Sequence, residues 1–171
     1  MTRLAWALLC AIALPLNGCL YPEGGEAKKL PLAAELLYRG SNCGRYDSYP
    51  AATWIDSKDH LLRVYEQLGK YTLGSTRNRP PSVDFARTGV LLVEMGQKPT
   101  GGYGLAMSEE VAYVSNGTAV LRLSWIEPSQ GAILPQVITS PCILIKLPSD
   151  SYWRIHVLDQ HGHLRAQVRV K

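Results

Sequence analysis

The stretch "EEVAYVSNGTAVLRLSW", residues 109–125, limits the fold more than any other part of the chain. Two alternating runs flank Asn116-Gly117, the dipeptide that best tolerates the positive φ values of a two-residue hairpin turn. In the second arm Ala119, Leu121, Leu123 and Trp125 fall on one side, and Val120, Arg122 and Ser124 on the other. A period of two with one apolar side is a strand lying on a core. "GVLLVEMG", residues 89–96, is apolar almost without a break, as a strand covered on both faces must be. "QVITSPCILIKLP", residues 136–148, is a further strand region, and Pro141 within it predicts an edge or a bulge.

The tail "YWRIHVLDQHGHLRAQVRV" reads as a hairpin around Asp159–Gly162. Its alternation turns Trp153, Ile155, Val157, Leu164, Ala166 and Val168 inward, and Arg154, His156, His163, Arg165, Gln167 and Arg169 outward. Before the strands, Tyr49–Gly69 carries a helical pattern, with Leu61, Leu62, Val64, Tyr65 and Leu68 on one face. Asp56 or Ser57 serves as N-cap and Gly69 ends the helix. "GSTRNRPPS", residues 74–82, is a loop. The expected fold is mostly β (β-rich α+β): a small antiparallel sandwich or part-open barrel with one N-terminal amphipathic helix.

The first residues stand apart from this body. "MTR" is a short basic start, "LAWALLCAIALPL" is an apolar core of secretory-signal length, and "LNGC" follows. That core is too short to span a bilayer. "LNGC" resembles the lipobox of bacterial lipoproteins, matched by Leu16, Gly18 and Cys19, with Asn17 bulkier and more polar than usual. The resemblance implies that Cys19 is acylated and becomes the mature N-terminus, several acyl chains anchoring it to a membrane. Ordinary secretion with a free Cys19 is the alternative. Leu20 after the cysteine, where Asp would favour inner-membrane retention, points to the outer membrane facing the periplasm. Residues 1–18 are then signal, 19–31 a polar tether, and 32–171 a single β-rich domain.

In an exported chain the two remaining thiols, Cys43 and Cys142, most simply pair. A bridge would close a loop of roughly 100 residues and contribute about 3–5 kcal/mol. A catalytic thiol would need an activating base that the sequence does not supply. The formal net charge of +4 falls to +3 when Arg3 leaves with the signal, too weak and scattered for nucleic acid.

"GQKPTGGYG", residues 96–104, separates two strand runs. Lys98-Pro99-Thr100-Gly101 fits a type I turn, with Pro second and Gly fourth. Beyond it Tyr103, Leu105 and Met107 share one strand face, and Gly102, Gly104 and Ala106 the other. A bare strand face admits a second backbone, so the cluster serves either packing or recognition. Phosphate binding needs a Gly-rich loop that opens a helix, and a strand follows here.

Enzyme signatures are absent: no G-x-S-x-G, no H-E-x-x-H, no Cys-x-x-Cys. His156 and His163 sit diagonally in the simplest register of the last hairpin, with His161 in its turn and only Asp159 nearby. Solvated histidines describe this better than a metal site. The outward Arg154, Arg165, Arg169 and Lys171 form a solvated basic face or rest against anionic lipid or an acidic partner. No cofactor is called for.

"GVLLVEMGQKPTGGYGLAM", followed by "QVITSPCILIKLP", resembles the C-terminal domain of the protease-complex subunit PrcB family, over roughly 89–148. The residues that match are Gly96, Pro99, Thr100, Gly101, Gly102, Tyr103, Ser140 and Pro141. That family takes its name from a lipoprotein that binds and stabilises a surface protease, so the resemblance implies a non-catalytic accessory role. "KPTGGYG" is also similar to the N-P-T-T-G-Y loop of chagasin-type protease inhibitors, with Lys98 in place of Asn and Gly101 in place of Thr. The expected function is thus a lipid-anchored envelope protein that binds another exported protein, a protease by resemblance. Its binding loop would be Lys98, Pro99, Thr100, Gly101, Gly102 and Tyr103. The alternatives are a structural envelope lipoprotein without a protease partner and a chagasin-like inhibitor.

Overall fold

A computed structural model describes residues 28–71, 79–108 and 112–170. The expected signal, Cys19, the expected tether through residue 27 and Lys171 lie outside the described residues. In chain order the elements are β1 (Leu30–Leu32), β2 (Glu35–Gly40), β3 (Ala51–Ile55), α1 (Lys58–Gly69), β4 (Thr88–Glu94), β5 (Gly104–Met107), β6 (Ala112–Ser115), β7 (Thr118–Ile126), β8 (Cys142–Pro148), β9 (Arg154–Leu158) and β10 (Leu164–Arg169).

They form two sheets, neither closed into a barrel. In the first, the order is β1-β6-β7-β9-β10, with β5 also paired to β7. The β6–β7 hairpin turns through Asn116 and Gly117 at φ of 49° and 68°, the conformation that selects Asn-Gly. All neighbours are antiparallel except β7 and β9, which run parallel. In the second sheet the order is β2-β8-β4-β3, antiparallel throughout.

The inner side of β7, Ala119, Leu121, Leu123 and Trp125, meets Leu91, Val93, Ile143, Ile145 and Leu147 of the second sheet. The other side of that sheet carries Val90, Leu92 and Leu144 against Leu61, Tyr65 and Leu68 of α1. The result is three layers: sheet, sheet, helix. Strands β4 and β8 are covered on both faces, which is why their sequences are apolar without alternation. Each Leu or Ile so enclosed contributes about 1.5–3 kcal/mol, which makes this pair of strands the centre of stability.

Several expectations need correction. The helix begins at Lys58, capped by Ser57, whose hydroxyl accepts from His60 N–H, while Ala51–Ile55 is a strand. Thr53, Trp54 and Ile55 are β-formers, and pairing with β4 overrides the helical periodicity read through them. Leu30 and Pro31, placed in the tether, pair with β6. Pro141 marks neither an edge nor a bulge. It lies just ahead of β8, a central strand, so its missing N–H costs no ladder bond, and its carbonyl accepts from Met95. The residues before it, 136–140, form only isolated bridges.

In the last hairpin the register shifts between Leu164 and Ala166. This bulge reverses the phase at the start of β10, so Leu164 is exposed while Ala166 is buried. Trp153 is exposed too, lying ahead of β9 with Arg154 stacked on its ring at 4.3 Å. His156 faces Gln167 across the strands, so the diagonal with His163 does not occur.

Candidate functional site

The Gly-rich cluster leaves the end of β4 through Gly96, at φ +79°. A side chain there would strike the Ser48 backbone at 2.5 Å, so Gly96 is required by close approach. Lys98 then bridges Thr139 by backbone bonds of 2.8 and 3.0 Å in the two directions. Gly101 N–H donates to Pro135 O at 3.0 Å instead of closing a turn on Lys98. Thr139 Oγ1 donates to Thr100 O at 3.0 Å. The turn is therefore buttressed from the side by the segment between β7 and β8. Gly102, at φ +87°, sits against Leu134 and Pro128.

Tyr103, Leu105 and Met107 do share the core side, as the alternation required. Lys98 lies over the Tyr103 ring, its Nζ 5.7 Å from the centroid. Pro99 and Gly102 remain exposed. The cluster is thus partly packing and partly surface. Beside it the buttressing segment and the end of β7 expose Ile126, Ile133, Val137 and Ile138, with Ile133 entirely in solvent. Sequence reading missed this apolar surface because it took residues 136–140 for strand.

Ser140 has a structural duty. Its hydroxyl accepts the backbone N–H of Cys43 at 2.9 Å, Gly44 at 2.8 Å and Arg45 at 3.3 Å. It donates in turn to Asn42 Oδ1 at 2.9 Å. Two residues on, Cys142 is joined to Cys43 by a disulfide, with Cα atoms 6.0 Å apart. Both thiols are consumed, so neither acts as a nucleophile. Ser140 and Cys142 together pin the loop after β2 to the start of β8.

That loop walls a second feature which the sequence did not announce. Between it, α1 and the β3–β4 floor lies a half-open cleft of about 560 Å³. Arg45 enters from the loop, bonding Asp47 through Nε at 2.9 Å and Nη2 at 2.7 Å. Its Nη1 reaches Glu94 Oε2 at 3.1 Å. Glu94 closes β4 and is only 8% exposed. Burial pushes its carboxyl above the ordinary glutamate value, more than Arg45 draws it down. Its partners come from positions 45, 47 and 94, which no local motif could join.

At the far end of the first sheet, Asp159 is fully buried. It accepts N–H bonds from His161 and His163, each 2.9 Å, and from Arg165 Nε at 2.8 Å. Burial alone would raise its carboxyl, but these donors hold it well below the usual range. Gln160 pairs with both backbone groups of Trp125, at 2.8 and 3.2 Å, finishing the edge of β7. Arg165 is therefore part of the hairpin's framework, lying 5.3 Å from the Trp125 ring centroid, and not a free member of a basic face. No group of three His, Cys, Asp or Glu side chains fit to hold a metal occurs among the described residues.

Residues 90–148 match the family model described as PrcB C-terminal, about a third of the chain. The match runs from β4 through β8 and so includes the Gly-rich turn, the apolar segment that buttresses it, Ser140 and Cys142. No curated protein and no solved structure matches the chain.

Proposed function

We propose that this PrcB-like chain is a lipid-anchored, non-catalytic accessory protein of the bacterial envelope, acylated at Cys19, that binds an exported protease or a subunit of one. The binding surface is the turn Lys98–Tyr103 together with the exposed apolar residues beside it. The observation that carries this reading is that Ile126, Ile133, Val137 and Ile138 lie in solvent around a turn already held in shape from the side. Clustered exposed apolar side chains mark interaction sites, and a turn braced in advance loses little freedom on docking. The resemblance to the PrcB family suggests the kind of partner, a protease complex.

The test is crosslinked capture from envelope extract with the full chain, alongside Thr100→Asp/Gly101→Asp and Ile133→Asp/Ile138→Asp variants. Circular dichroism checks that each folds. The expected result is a protease subunit captured by the wild type, with crosslinks at residues 98–103 or 133–138, and lost by both folded variants. Equal capture by all three would remove the turn from the binding surface. Labelling with a palmitate analogue, lost in Cys19→Ala, tests the anchor. A purified protease inhibited by the chain would instead favour the chagasin-like role, and a general envelope defect on deletion would favour a structural one.

A further inference from the structure

The cleft between α1 and the loop after β2 is unconnected with the turn's proposed role, and its chemistry is specific enough to name a ligand class. Its most buried charged group is Glu94, at the end of β4. Among the described residues, the single hydrogen bond to its carboxylate comes from Arg45 Nη1, on Oε2. A carboxylate accepts about four hydrogen bonds, so a buried one with a single donor leaves strong acceptor capacity open.

The charge balance favours a cation. Arg45 is shared between Asp47 and Glu94, leaving one negative charge over the cluster. An anion entering here would meet two carboxylates around a guanidinium whose Nε, Nη1 and Nη2 are each already engaged. A planar guanidinium ligand would need both Glu94 oxygens in parallel, and one is held. A compact ammonium needs only the other. Val64 and Leu68 of α1 and Leu92 of β4 line the same cleft and offer it an apolar wall. Tyr46 stands at the rim, its hydroxyl 2.7 Å from that of Tyr71, where an aromatic face attracts cations.

We infer that this cleft binds a primary alkylammonium group, the ammonium on Glu94 and its methylene stem along Val64, Leu68 and Leu92. The same chemistry belongs to a free aliphatic amine and to the lysine side chain of a protein partner.

The test uses the full chain, titrated at neutral pH with pentylammonium, with 1-pentanol as its uncharged twin, and with acetyl-Gly-Lys-Gly-amide, followed by protein NMR shifts. Saturable binding of pentylammonium, with none of pentanol, is expected. Glu94→Gln should weaken it about tenfold or more by removing a charge-assisted bond. Val64→Lys is the second variant: it sits on the half-buried face of the helix and fills the cleft with the chain's own ammonium, so binding should be lost while the fold is kept. Peptide binding about tenfold tighter than the free amine would identify a partner's lysine as the occupant, and the reverse order a free amine. Wild-type protein that takes the amine no better than pentanol, or folded Val64→Lys that binds as well as wild type, overturns the assignment. The Thr100→Asp/Gly101→Asp variant keeps full amine binding, which separates this result from failure of the turn's role.

Discussion

The backbone N–H of Gly44 donates to the Ser140 hydroxyl at 2.8 Å, across 96 residues of chain. One hydroxyl serves as the acceptor for three successive amides, 43 to 45, and the disulfide beside it fixes the same loop covalently. Arg45 reaches Glu94 because its backbone is held by Ser140, just ahead of β8, and not by its own neighbours in sequence. Ser140 in the resemblance pattern is thereby explained as a clamp.

Ser140→Ala removes the side-chain acceptor while leaving Cys43 N–H its bond to the Ser140 carbonyl at 2.9 Å. The buried Gly44 amide loses its best partner, a loss of about 1–3 kcal/mol. Urea titration of the variant should show that drop. An unmoved midpoint would mean that solvent replaces the hydroxyl.

Replacing both Cys43 and Cys142 with Ala frees a loop of 99 residues. Stability should fall by about 3–5 kcal/mol, and reductant should give the wild type the same midpoint as the double variant. Unequal midpoints would show that the substitutions disturb packing beyond the crosslink.

Much of the strand content was legible because it depends on local alternation. β7 reads inward at 119, 121, 123 and 125, and Asn116-Gly117 takes the φ values its type requires. β3 was not legible as a strand, since Ala51–Ile55 continues smoothly into the helical spacing of α1 and only pairing with β4 decides the matter. The inward assignment of Leu164 failed because a bulge cannot be seen in a period of two. The turn itself was visible in "PTGGY", but its buttress was not, because residues 128–139 follow a course set by tertiary bonds to Lys98, Thr100 and Gly101. The cleft was hidden for a simpler reason: Arg45, His60 and Glu94 lie far apart in sequence, and only the loop after β2 brings them together.

Two adjacent glycines should respond differently. A Cβ on Gly101 would stand 3.4 Å from Pro135, an ordinary contact. On Gly102 it would meet Leu134 at 3.0 Å in a backbone with φ +87°. Gly101→Ala should leave stability within about 0.5 kcal/mol, and Gly102→Ala should lower it by about 1–2 kcal/mol. Equal losses in denaturant titration would contradict the geometry of the turn.

Two carboxylates give stability opposite pH dependences. Asp159 is held well below its unfolded value of about 3.9, so its stabilisation is complete at neutral pH, begins to fall below that value, and is lost as the pH falls through the lower folded one. Glu94 is raised, so the folded state takes up its proton first, and its ionised form opposes folding until acid relieves it. Arg45, Asp47, Tyr46 and His60 are the other titratable or charged groups lining its cleft. Asp159→Asn should therefore lose most, relative to wild type, at neutral pH, and the deficit should shrink below about pH 4. Glu94→Gln should gain relative to wild type as the pH rises from 3 to 7, on the order of a small fraction of total stability. A series of urea titrations across that range checks both signs.

The place of β8 between β2 and β4 has a consequence for biogenesis. Residues 142–148 supply the ladder for strands that precede them by about 50 and 100 residues, so a chain emerging N-terminus first leaves β2 without its ladder partner, and β4 with β3 alone, until most of it has been delivered. Before that moment the apolar run of β4 has one open edge, which makes it the kind of segment that aggregates. A truncation ending before Cys142 would accordingly leave the second sheet without its central strand β8, stripping β2 of its ladder partner and leaving β4 only β3, however complete the remaining sequence signals.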